Sequence, residues 1–502
     1  MRALVPLVIL SLLAVSMPAL AEWGAYGPDG WPLDVDGRST RPAGMPAIDD
    51  DHGHTILDPV DDEGPVNEVA GTTVYPYWPV LTAELQRLAS EHPDIVRLHS
   101  AGKSTAGLDL WMIELADFAR LDAGEGVPLE EREVAWVDGG THSNEYSGVY
   151  FVAHLAAFLA DGYGTNETAT WIVDNRHTWL MPLVNPDGSH LFGRLNANAV
   201  NINRNYPVDW GGIAENPLFN NPGPEPASEV ETRINIEWFE KVHPDYYASV
   251  HCCGNLWLYP YGVEGLDPAD QDMLSRVCDE AFPTVREDCG PIWSTIYPAS
   301  GSSVDTAYEY TGAVAFGYEM SGRGALVFWG QPFTTESVRE QEMESWEGVL
   351  HAFRHVHLYG AHPVVASVEA VHGGVAVTLL NDGYGNLTKG TLRIVDGDGE
   401  DHVVELPHIT AGTQATVVVP GPFTEGPAEV VVEYVKRVQS EPEGLVRATL
   451  VFADGGAVET EPGVHVVDLQ RTIAEESAAL SPFVAGVLVV ALALGLFSRR
   501  RL

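Results

Sequence analysis

The chain has 502 residues, more than one ordinary domain needs, so two or three domains are expected. It carries 71 Asp and Glu against 27 Lys and Arg, and the resulting net charge of -44 rules against nucleic acid as a partner, because phosphate binding needs a basic face. A surface this acidic serves solubility. The hydrophobic content of 45% is ample for large buried cores.

The N-terminal 74 residues contain two different segments. Residues 1–21 combine Arg2, an apolar run and a closing Ala-Leu-Ala before Glu22, the pattern of a cleaved signal peptide. Residues 22–74 are rich in Gly, Pro and Asp without sustained periodicity, which predicts a mostly irregular acidic arm.

Strand-like and helical patterns alternate over residues 75–357. Leucines recur at helical spacing from Leu81, with Thr82 as a candidate N-cap and Pro93 as a stop. Helices are also predicted in YSGVYFVAHLAAFLADG and ASEVETRINIEWFEKV, and strands in LDLWMIEL, REVAWVDG, HTWLMPLVN, DYYASVHC and AVAFGYEM. This alternation predicts an α/β domain with helices on the faces of a sheet.

The remaining C-terminal region changes character twice. Six short strand-like runs separated by Gly, Asn and Asp turns predict a β-sandwich domain over residues 361–470. A linker over 471–481 leads to an apolar segment, 482–498, and a basic tail, 499–502. This order predicts a hydrophobic anchor or sorting segment, with the bulk of the protein exported and tethered at the cell surface or envelope.

A His-x-x-Glu pair, His142 and Glu145, follows the strand-like run VAWV. The pair alone is weak evidence, because His402 and Glu405 repeat its spacing in the all-β region without supporting residues. A catalytic zinc site needs three protein ligands, often two His and one carboxylate, and an open position for water. His251 ends another strand-like run and is the candidate third ligand.

Seven strings occur in a fixed order within residues 75–357. They are His-x-x-Glu after a strand, Asn-Pro-Asp-Gly, Asn-Arg-Asn-Tyr-Pro, Pro-x-Ser-Glu-x-Glu-Thr, His-x-x-x-Asn-Leu-x-Leu-Tyr-Pro-Tyr-Gly, Tyr-x-Ala-Ser-Gly-x-Ser, and a late strand Glu. In this order they resemble the zinc metallocarboxypeptidases of the pancreatic carboxypeptidase A/B type. The resemblance covers more than half of the chain and implies a mixed central sheet with helices on both faces.

The same resemblance implies the catalytic groups. His142, Glu145 and His251 would hold one Zn²⁺ per chain, and Glu319 on the late strand would be the general base. Zinc lowers the pKa of a bound water to about 7 and polarises the carbonyl of the bond to be cut. A carboxylate near that water takes its proton and passes it to the leaving amine. Arg194 corresponds to an arginine that stabilises the oxyanion, a role that typically contributes about 10²–10³ in rate.

The substrate contacts also follow from the resemblance. Asn203 and Arg204 would bind the terminal carboxylate, for which a guanidinium fork is suited, and Tyr297 would close over the bound peptide. Val304 would form the floor of the pocket for the terminal side chain, which favours neutral, apolar or aromatic residues there over Lys or Arg. Asn144 stands where the family often has Arg, so one substrate contact is expected to differ.

Four cysteines lie within one segment, at Cys252, Cys253, Cys278 and Cys289. An exported protein permits disulfides, and three complete pairings are possible. The vicinal pair follows His251 directly. A structural role is favoured, with a bond to Cys278 or Cys289 as one form of it, and a thiolate near the zinc is the alternative.

The sequence therefore predicts a zinc-dependent exopeptidase that removes the C-terminal residue from peptides or proteins with a free carboxylate. One alternative keeps the scaffold and the metal but makes the protein a cell-wall peptide amidase or an N-acyl-amino-acid hydrolase. A second is a non-catalytic surface-binding protein, which would be expected to lack a zinc ligand or Glu319. The oligomeric state is not indicated.

Overall fold

A computed structural model describes residues 78–190, 193–212, 220–252, 254–281, 289–320, 348–441, 443–453 and 465–468. The expected signal peptide, acidic arm, linker, hydrophobic segment and basic tail lie outside these residues. Among the residues that are described, no helix is long and apolar enough to cross a membrane.

The first eight strands form one sheet. They are β1 Val96–Lys103, β2 Asp109–Leu115, β3 Val134–Gly139, β4 His177–Met181, β5 Tyr246–Cys252, β6 Leu256–Tyr259, β7 Cys289–Pro291 and β8 Val314–Met320. Their order is β1-β2-β4-β3-β5-β8-β6-β7. Strands β4, β3, β5 and β8 are mutually parallel, whereas β1, β2 and β6 each have an antiparallel neighbour. The mixed central sheet implied by the resemblance is confirmed.

Helices connect these strands. They are α1 Trp78–Glu91, α2 Phe118–Asp122, α3 Tyr146–Asp161, α4 Glu167–Asn175, α5 Pro186–His190, α6 Val230–Val242, α7 Gln271–Ala281, α8 Ile292–Thr295 and α9 Ser303–Thr311, with a further helix over 348–355. Short 3-10 helices span Leu129–Glu131, Ile202–Arg204 and Val356–Leu358.

Strand β3 shows that helices cover both faces of the sheet. The Trp136 ring lies 4.7 Å from the Phe239 ring of α6. Gly139 is three residues further along and lies against α3, where an added Cβ would come within 2.5 Å of the Gly148 carbonyl oxygen. Residues an odd number apart on a strand point to opposite faces. Helices α3 and α6 therefore lie on opposite sides, as the sequence predicts.

Close backbone contact places the start of α3 at the edge of the sheet. A Cβ on Gly148 would lie 2.4 Å from the Val250 carbonyl oxygen of β5, and one on Gly139 would meet Gly148 itself. Glycine is required at both positions because any side chain would push the helix away from the strands. Glu145, the residue before α3, is thereby held beside the ends of β3 and β5.

The first helix differs from its prediction. It begins at Trp78, so Thr82 lies inside it and is not its N-cap. The Thr82 hydroxyl oxygen instead accepts a hydrogen bond from the indole N–H of Trp111 on β2 at 2.8 Å. The helix ends at Glu91, shortly before Pro93, as predicted.

The C-terminal region is all-β. Its strands are β9 Pro363–Val371, β10 Gly374–Asn381, β11 Gly390–Val395, β12 Asp401–Glu405, β13 Gln414–Pro420, β14 Gly426–Val435, β15 Glu443–Ala453 and β16 His465–Asp468. They form a three-stranded sheet, β13-β10-β9, and a five-stranded sheet, β12-β11-β14-β15-β16. Both sheets contribute to one apolar cluster, with Val377 and Leu379 from the first and Ile394, Val430 and Leu450 from the second.

The structure does not contain the expected disulfide between the vicinal cysteines and Cys278 or Cys289. Cys278 in α7 is bonded to Cys289 in β7. A bond from the vicinal pair to either of them is therefore excluded. Cys252 is also disulfide-bonded, so it offers no thiolate to a metal.

Candidate active site

The candidate residues gather at the carboxyl ends of three neighbouring parallel strands. His142 and Glu145 follow β3, His251 lies near the end of β5, and Glu319 lies near the end of β8. The three strands are adjacent in the sheet, and His251 is directly paired with Glu319 in the register of β5 and β8. The carboxyl edge of parallel strands is where α/β proteins place their sites.

Two imidazoles and one carboxylate meet in a buried group. The Nδ1 atom of His142 lies 3.0 Å from Oε1 of Glu145, and the Nδ1 atom of His251 lies 2.9 Å from Oε2. The two Nδ1 atoms are 3.1 Å apart. One potential ligand atom from each of the three residues lies within 4.8 Å of the other two. Two His and one Glu form the donor set of a catalytic zinc site with an open position, so the residues present fit a zinc ion.

Hydrogen bonds on the far side of each ring favour Nδ1 as the metal-binding atom. Nε2 of His142 lies 3.1 Å from the amide oxygen of Asn201, which can only accept a proton. Nε2 of His251 lies 3.2 Å from the Ser249 hydroxyl, whose own proton is donated to Asp138 at 2.7 Å. Both rings are therefore assigned a proton on Nε2 and a free lone pair on Nδ1. Such outer contacts orient metal-binding histidines.

The pKa of His142 matches this assignment, whereas at His251 burial would lower the pKa but the hydrogen bond with Glu145 outweighs it and raises that pKa. Burial, together with Arg194, lowers the pKa of His142 to about 3, which keeps its imidazole neutral. Burial would raise the pKa of Glu145, but the contacts with His142 and His251 outweigh it and hold that pKa well below the usual range. Burial and the charge of Glu145 both raise the pKa of Glu319. Two carboxyl groups whose pKa values are pushed apart are typical of acid–base sites.

Arg194 contacts the metal-binding group directly. Its guanidinium Nη1 lies 2.7 Å from Oε1 of Glu145. The loop after it is fixed by polar contacts with the buried Glu229, whose Oε2 accepts from the Asn196 and Asn198 amides at 2.6 and 2.8 Å. The Asn196 amide also lies 3.1 Å from Oε2 of Glu231. Glu229 and Glu231 therefore hold the loop that follows Arg194 in place.

Arg204 is a buried cation with unused hydrogen-bonding capacity. Its Nη1 donates to the Asn203 carbonyl oxygen at 2.7 Å, while its Nε is buried and has no hydrogen-bond partner within the described part of the chain. The guanidinium carbon lies 6.0 Å from the centre of the Tyr297 ring, and that side chain is 45% exposed. The Asn203 amide nitrogen lies 3.4 Å from Nε2 of His251. Three of the four predicted substrate-binding residues are thus near one another and beside the metal-binding group.

The remaining predicted positions lie close by. Val304 is only 2% exposed and packs against Gly317, two residues before Glu319 on β8. Asn144 lies between His142 and Glu145 in the chain, and its Oδ1 is buried without a hydrogen-bond partner among the residues described. The structure brings all nine predicted site residues to one edge of the sheet.

The second His-x-x-Glu pair does not come together in one group, and His402 lies instead near Asp396 and Glu400. His402 and Glu405 lie three residues apart on β12, so their side chains point to opposite faces of the strand. His402 faces Asp396 at 3.6 Å instead. The pair at His142 differs because it follows a strand and leads into a helix, which allows both side chains to turn to one side.

Sequence reasoning did not identify the outer contacts. Asn201, Ser249 and Asp138 are polar residues in buried positions, close in the chain to the ligands or to Asn203. Polar residues within otherwise apolar strands were the available signal, because a buried polar group requires a partner.

Comparison with known proteins agrees with the fold and with the class of enzyme. A family model for zinc carboxypeptidases matches residues 81–346. Carboxypeptidase A2 of Mus musculus is 25% identical over 299 residues, covering 54% of this chain and 68% of that protein. Carboxypeptidase A1 of Sus scrofa is 28% identical over 297 residues, covering 53% and 67% respectively.

A solved structure supports the fold. The crystal structure of thrombin activatable fibrinolysis inhibitor matches with a TM-score of 0.50 and 21% sequence identity, over 56% of this chain and 74% of that chain. The chain belongs to the zinc carboxypeptidase family. It is an enzyme of the metallocarboxypeptidase class, as the sequence predicts.

Proposed function

We propose that this protein removes the C-terminal residue from peptides or proteins. The observation that carries the proposal is the buried group of His142, Glu145 and His251 beside a buried guanidinium, Arg204, whose Nε has no partner within the described residues. The first is suited to a hydrolytic metal ion and the second to a carboxylate. A peptide terminus bound by its carboxylate would present its last peptide bond to the metal.

The proposed catalytic roles are assigned to this chain's own groups. One zinc ion per chain, bound by His142, Glu145 and His251, would supply a Lewis acid and a water of lowered pKa. Glu319 takes a proton from the attacking water and delivers it to the leaving amine. Arg194 donates hydrogen bonds to the oxygen that becomes negative as the bond is attacked.

The proposed binding roles concern the terminal residue. Arg204 and Asn203 bind its carboxylate, and the exposed Tyr297 closes over it. Val304 bounds the pocket for the side chain and favours apolar or aromatic residues. Blocked peptides that differ only in a terminal Phe or Arg test this preference. We expect the Phe peptide to be cleaved with the higher kcat/KM, and faster cleavage of the Arg peptide would contradict it.

We also propose the domain organisation and location. Residues 75–357 form the catalytic domain, and residues 361–470 form a β-sandwich, a proposal supported by the two sheets that share an apolar cluster. Residues 1–21 direct export, and the apolar segment 482–498 with the basic tail 499–502 holds the protein at the envelope. The basis for these last assignments is the composition of those segments.

Matched substrates and metal analysis test the proposed activity. The purified protein is expected to contain about one zinc per chain and to cleave a peptide with a free C-terminal carboxylate. The same peptide with an amidated terminus should be cleaved at least ~10-fold more slowly, because it lacks the charge that Arg204 binds. Equal cleavage of the two peptides, or full activity after zinc is removed by chelation, would contradict the proposal. The amidase alternative is tested by measuring how kcat/KM depends on peptide length.

A further inference from the structure

The loop between β14 and β15, residues 436–441, lies on the catalytic part of the molecule, and we call it the docking loop. The backbone N–H groups of Val438 and Gln439 donate to the two carboxylate oxygens of Asp270, each at 3.1 Å. The buried Arg437 donates to the Tyr359 carbonyl oxygen at 3.0 Å and to Oδ1 of Asp245 at 3.3 Å. Hydrogen bonds therefore hold the docking loop against residues that lie before the all-β region.

The conformation of the docking loop is unusual for its sequence. Ser440 and Glu441 have φ angles of 54° and 46°, in the left-handed region that non-glycine residues seldom adopt. Residues are held in such conformations when surrounding contacts determine them. At Ser440 this contact is with Glu309, whereas Glu441 contacts Lys389 in the all-β region.

The main target of the docking loop is the C-terminal half of α9. The Gln439 amide donates to Oε2 of Glu309 at 2.8 Å, and the Ser440 hydroxyl donates to the Glu309 carbonyl oxygen. The Arg437 guanidinium donates to the carbonyl oxygen of Gly312, the residue that follows the helix. Tyr261 completes the group by donating its hydroxyl proton to Oε1 of Glu309.

The other end of α9 is at the proposed substrate site. The Ser303 N–H donates to the Asn203 amide oxygen at 3.0 Å, so the first turn of the helix fixes the side chain proposed to bind the terminal carboxylate. The next residue is Val304, the proposed boundary of the side-chain pocket. An α-helix rises about 1.5 Å per residue, so Val304 and Glu309 are separated by about 7.5 Å along a single rigid element.

We propose that the docking loop positions α9 and thereby sets the pocket for the terminal side chain. Gln439 is a positioning residue that acts through Glu309 and does not touch substrate. The C-terminal strands would thus be part of the specificity apparatus rather than a spacer. This inference rests on the proposed peptidase function.

A reciprocal exchange of two side chains tests the inference. Gln439→Glu places two carboxylates in contact, whereas the double variant Glu309→Gln with Gln439→Glu restores one donor and one acceptor and keeps an acceptor for Tyr261. We expect Gln439→Glu to raise KM about tenfold and to alter the ratio of kcat/KM for Phe-ending and Ala-ending peptides. The zinc content and kcat should change little, and the double variant should return KM to within about twofold of the wild type.

Controls separate this role from simple stabilisation. Arg447→Ala alters an exposed ion pair with Glu429 on the same sheet and should leave KM and the peptide ratio unchanged. If Gln439→Glu lowers the Tm but leaves KM and the ratio unchanged, or if the double variant does not restore them, the inference is overturned while the peptidase function stands. A wild-type protein that cleaves no C-terminal residue overturns the proposed function and this inference together.

Discussion

His251 and Glu319 lie directly opposite each other on the parallel strands β5 and β8. A ladder of backbone hydrogen bonds therefore fixes the proposed metal ligand relative to the proposed base. Sites built on strands are positioned more accurately than sites on loops. The other two ligands follow β3, where the close contact at Gly148 fixes the start of α3. The site therefore depends on backbone packing as much as on its own side chains.

The outer contacts of His251 lead to a prediction about zinc affinity. Ser249→Ala removes the hydroxyl that accepts the ring proton of His251 and contacts Asp138. Loss of such a contact typically weakens metal binding about 10–100-fold. Competitive titration with a chelator should show that Ser249→Ala binds zinc more weakly than the wild type. Thr306→Ala is the control, because among the described residues the buried Thr306 hydroxyl is bonded to the Ser302 carbonyl oxygen, at the start of its own helix. Equal zinc affinity in both variants would contradict the assignment.

The carboxylate contact predicts a change in KM. Arg204→Lys keeps the positive charge but removes the planar fork of donors. KM for a free-acid peptide should rise about tenfold or more, because a bidentate contact becomes a single one. Cleavage of the amidated peptide should change little. Arg233→Lys is the matched control on α6, where the side chain is exposed and bonded to the carbonyl oxygens of Ala227 and Ser228. An unchanged KM in Arg204→Lys would remove this residue from the binding site.

We expect the removal of the Glu229 carboxylate, which contacts the loop after Arg194, to lower the activity. Glu229→Ala removes the oxygen that accepts from both Asn196 and Asn198. The Asn198 amide would lose this acceptor and the buried Asn196 amide would keep only Glu231, which costs about 0.5–1.5 kcal/mol of folding stability. We expect kcat/KM to fall with zinc content retained, because the loop carries Arg194 and not a metal ligand. Glu240→Ala, at an exposed position on α6, is the control. Full activity in Glu229→Ala would show that the loop is held without this contact.

A group away from the site predicts how stability depends on pH. Burial would raise the pKa of Glu114, but hydrogen bonds from His177 and His99, both at 2.8 Å, outweigh it and lower this pKa to about 2. A depressed carboxyl pKa contributes stability at neutral pH that is lost as the pH falls from about 5 towards 2. Glu114→Gln should therefore lower the free energy of unfolding by about 1–2 kcal/mol at pH 7, allowing for screening by water.

Denaturant titrations over a pH series check this prediction. The difference in the free energy of unfolding between the wild type and Glu114→Gln should shrink as the solution is acidified. Glu130→Gln, at an exposed position, should show no such trend. A difference that grows below pH 4 would give the opposite sign and contradict the account.

The sequence predicted those elements whose periodicity is strong. Helix α3, with apolar residues throughout, and strand β10, with its alternation of buried Val375, Val377 and Leu379, lie where the patterns place them. Strand β1 was missed, because its VRLHSAGK pattern is half-exposed and has no clear period. The predicted start of α1 was wrong because the hydrogen-bond partner of Thr82 lies on another element, β2, which the local sequence does not reveal.

The candidate site was predictable to a similar extent. The ligand types and their order pointed to His142, Glu145 and His251, and the structure brings them together. The roles of Asp138, Ser249 and Glu229 depend on distances across the fold and could not be inferred from spacing. The pairing of Cys278 with Cys289 was equally open, since four cysteines allow three complete pairings.

Glu319→Gln tests the central claim most directly. The variant keeps the shape of the side chain but cannot take a proton from water. We predict that it binds about one zinc per chain, like the wild type, and that its kcat on a free-acid peptide falls at least ~100-fold, within the range typical of a lost general base. Measurement of zinc content and kcat on the same preparation gives both values. A zinc-loaded Glu319→Gln protein with wild-type kcat would contradict the proposed mechanism.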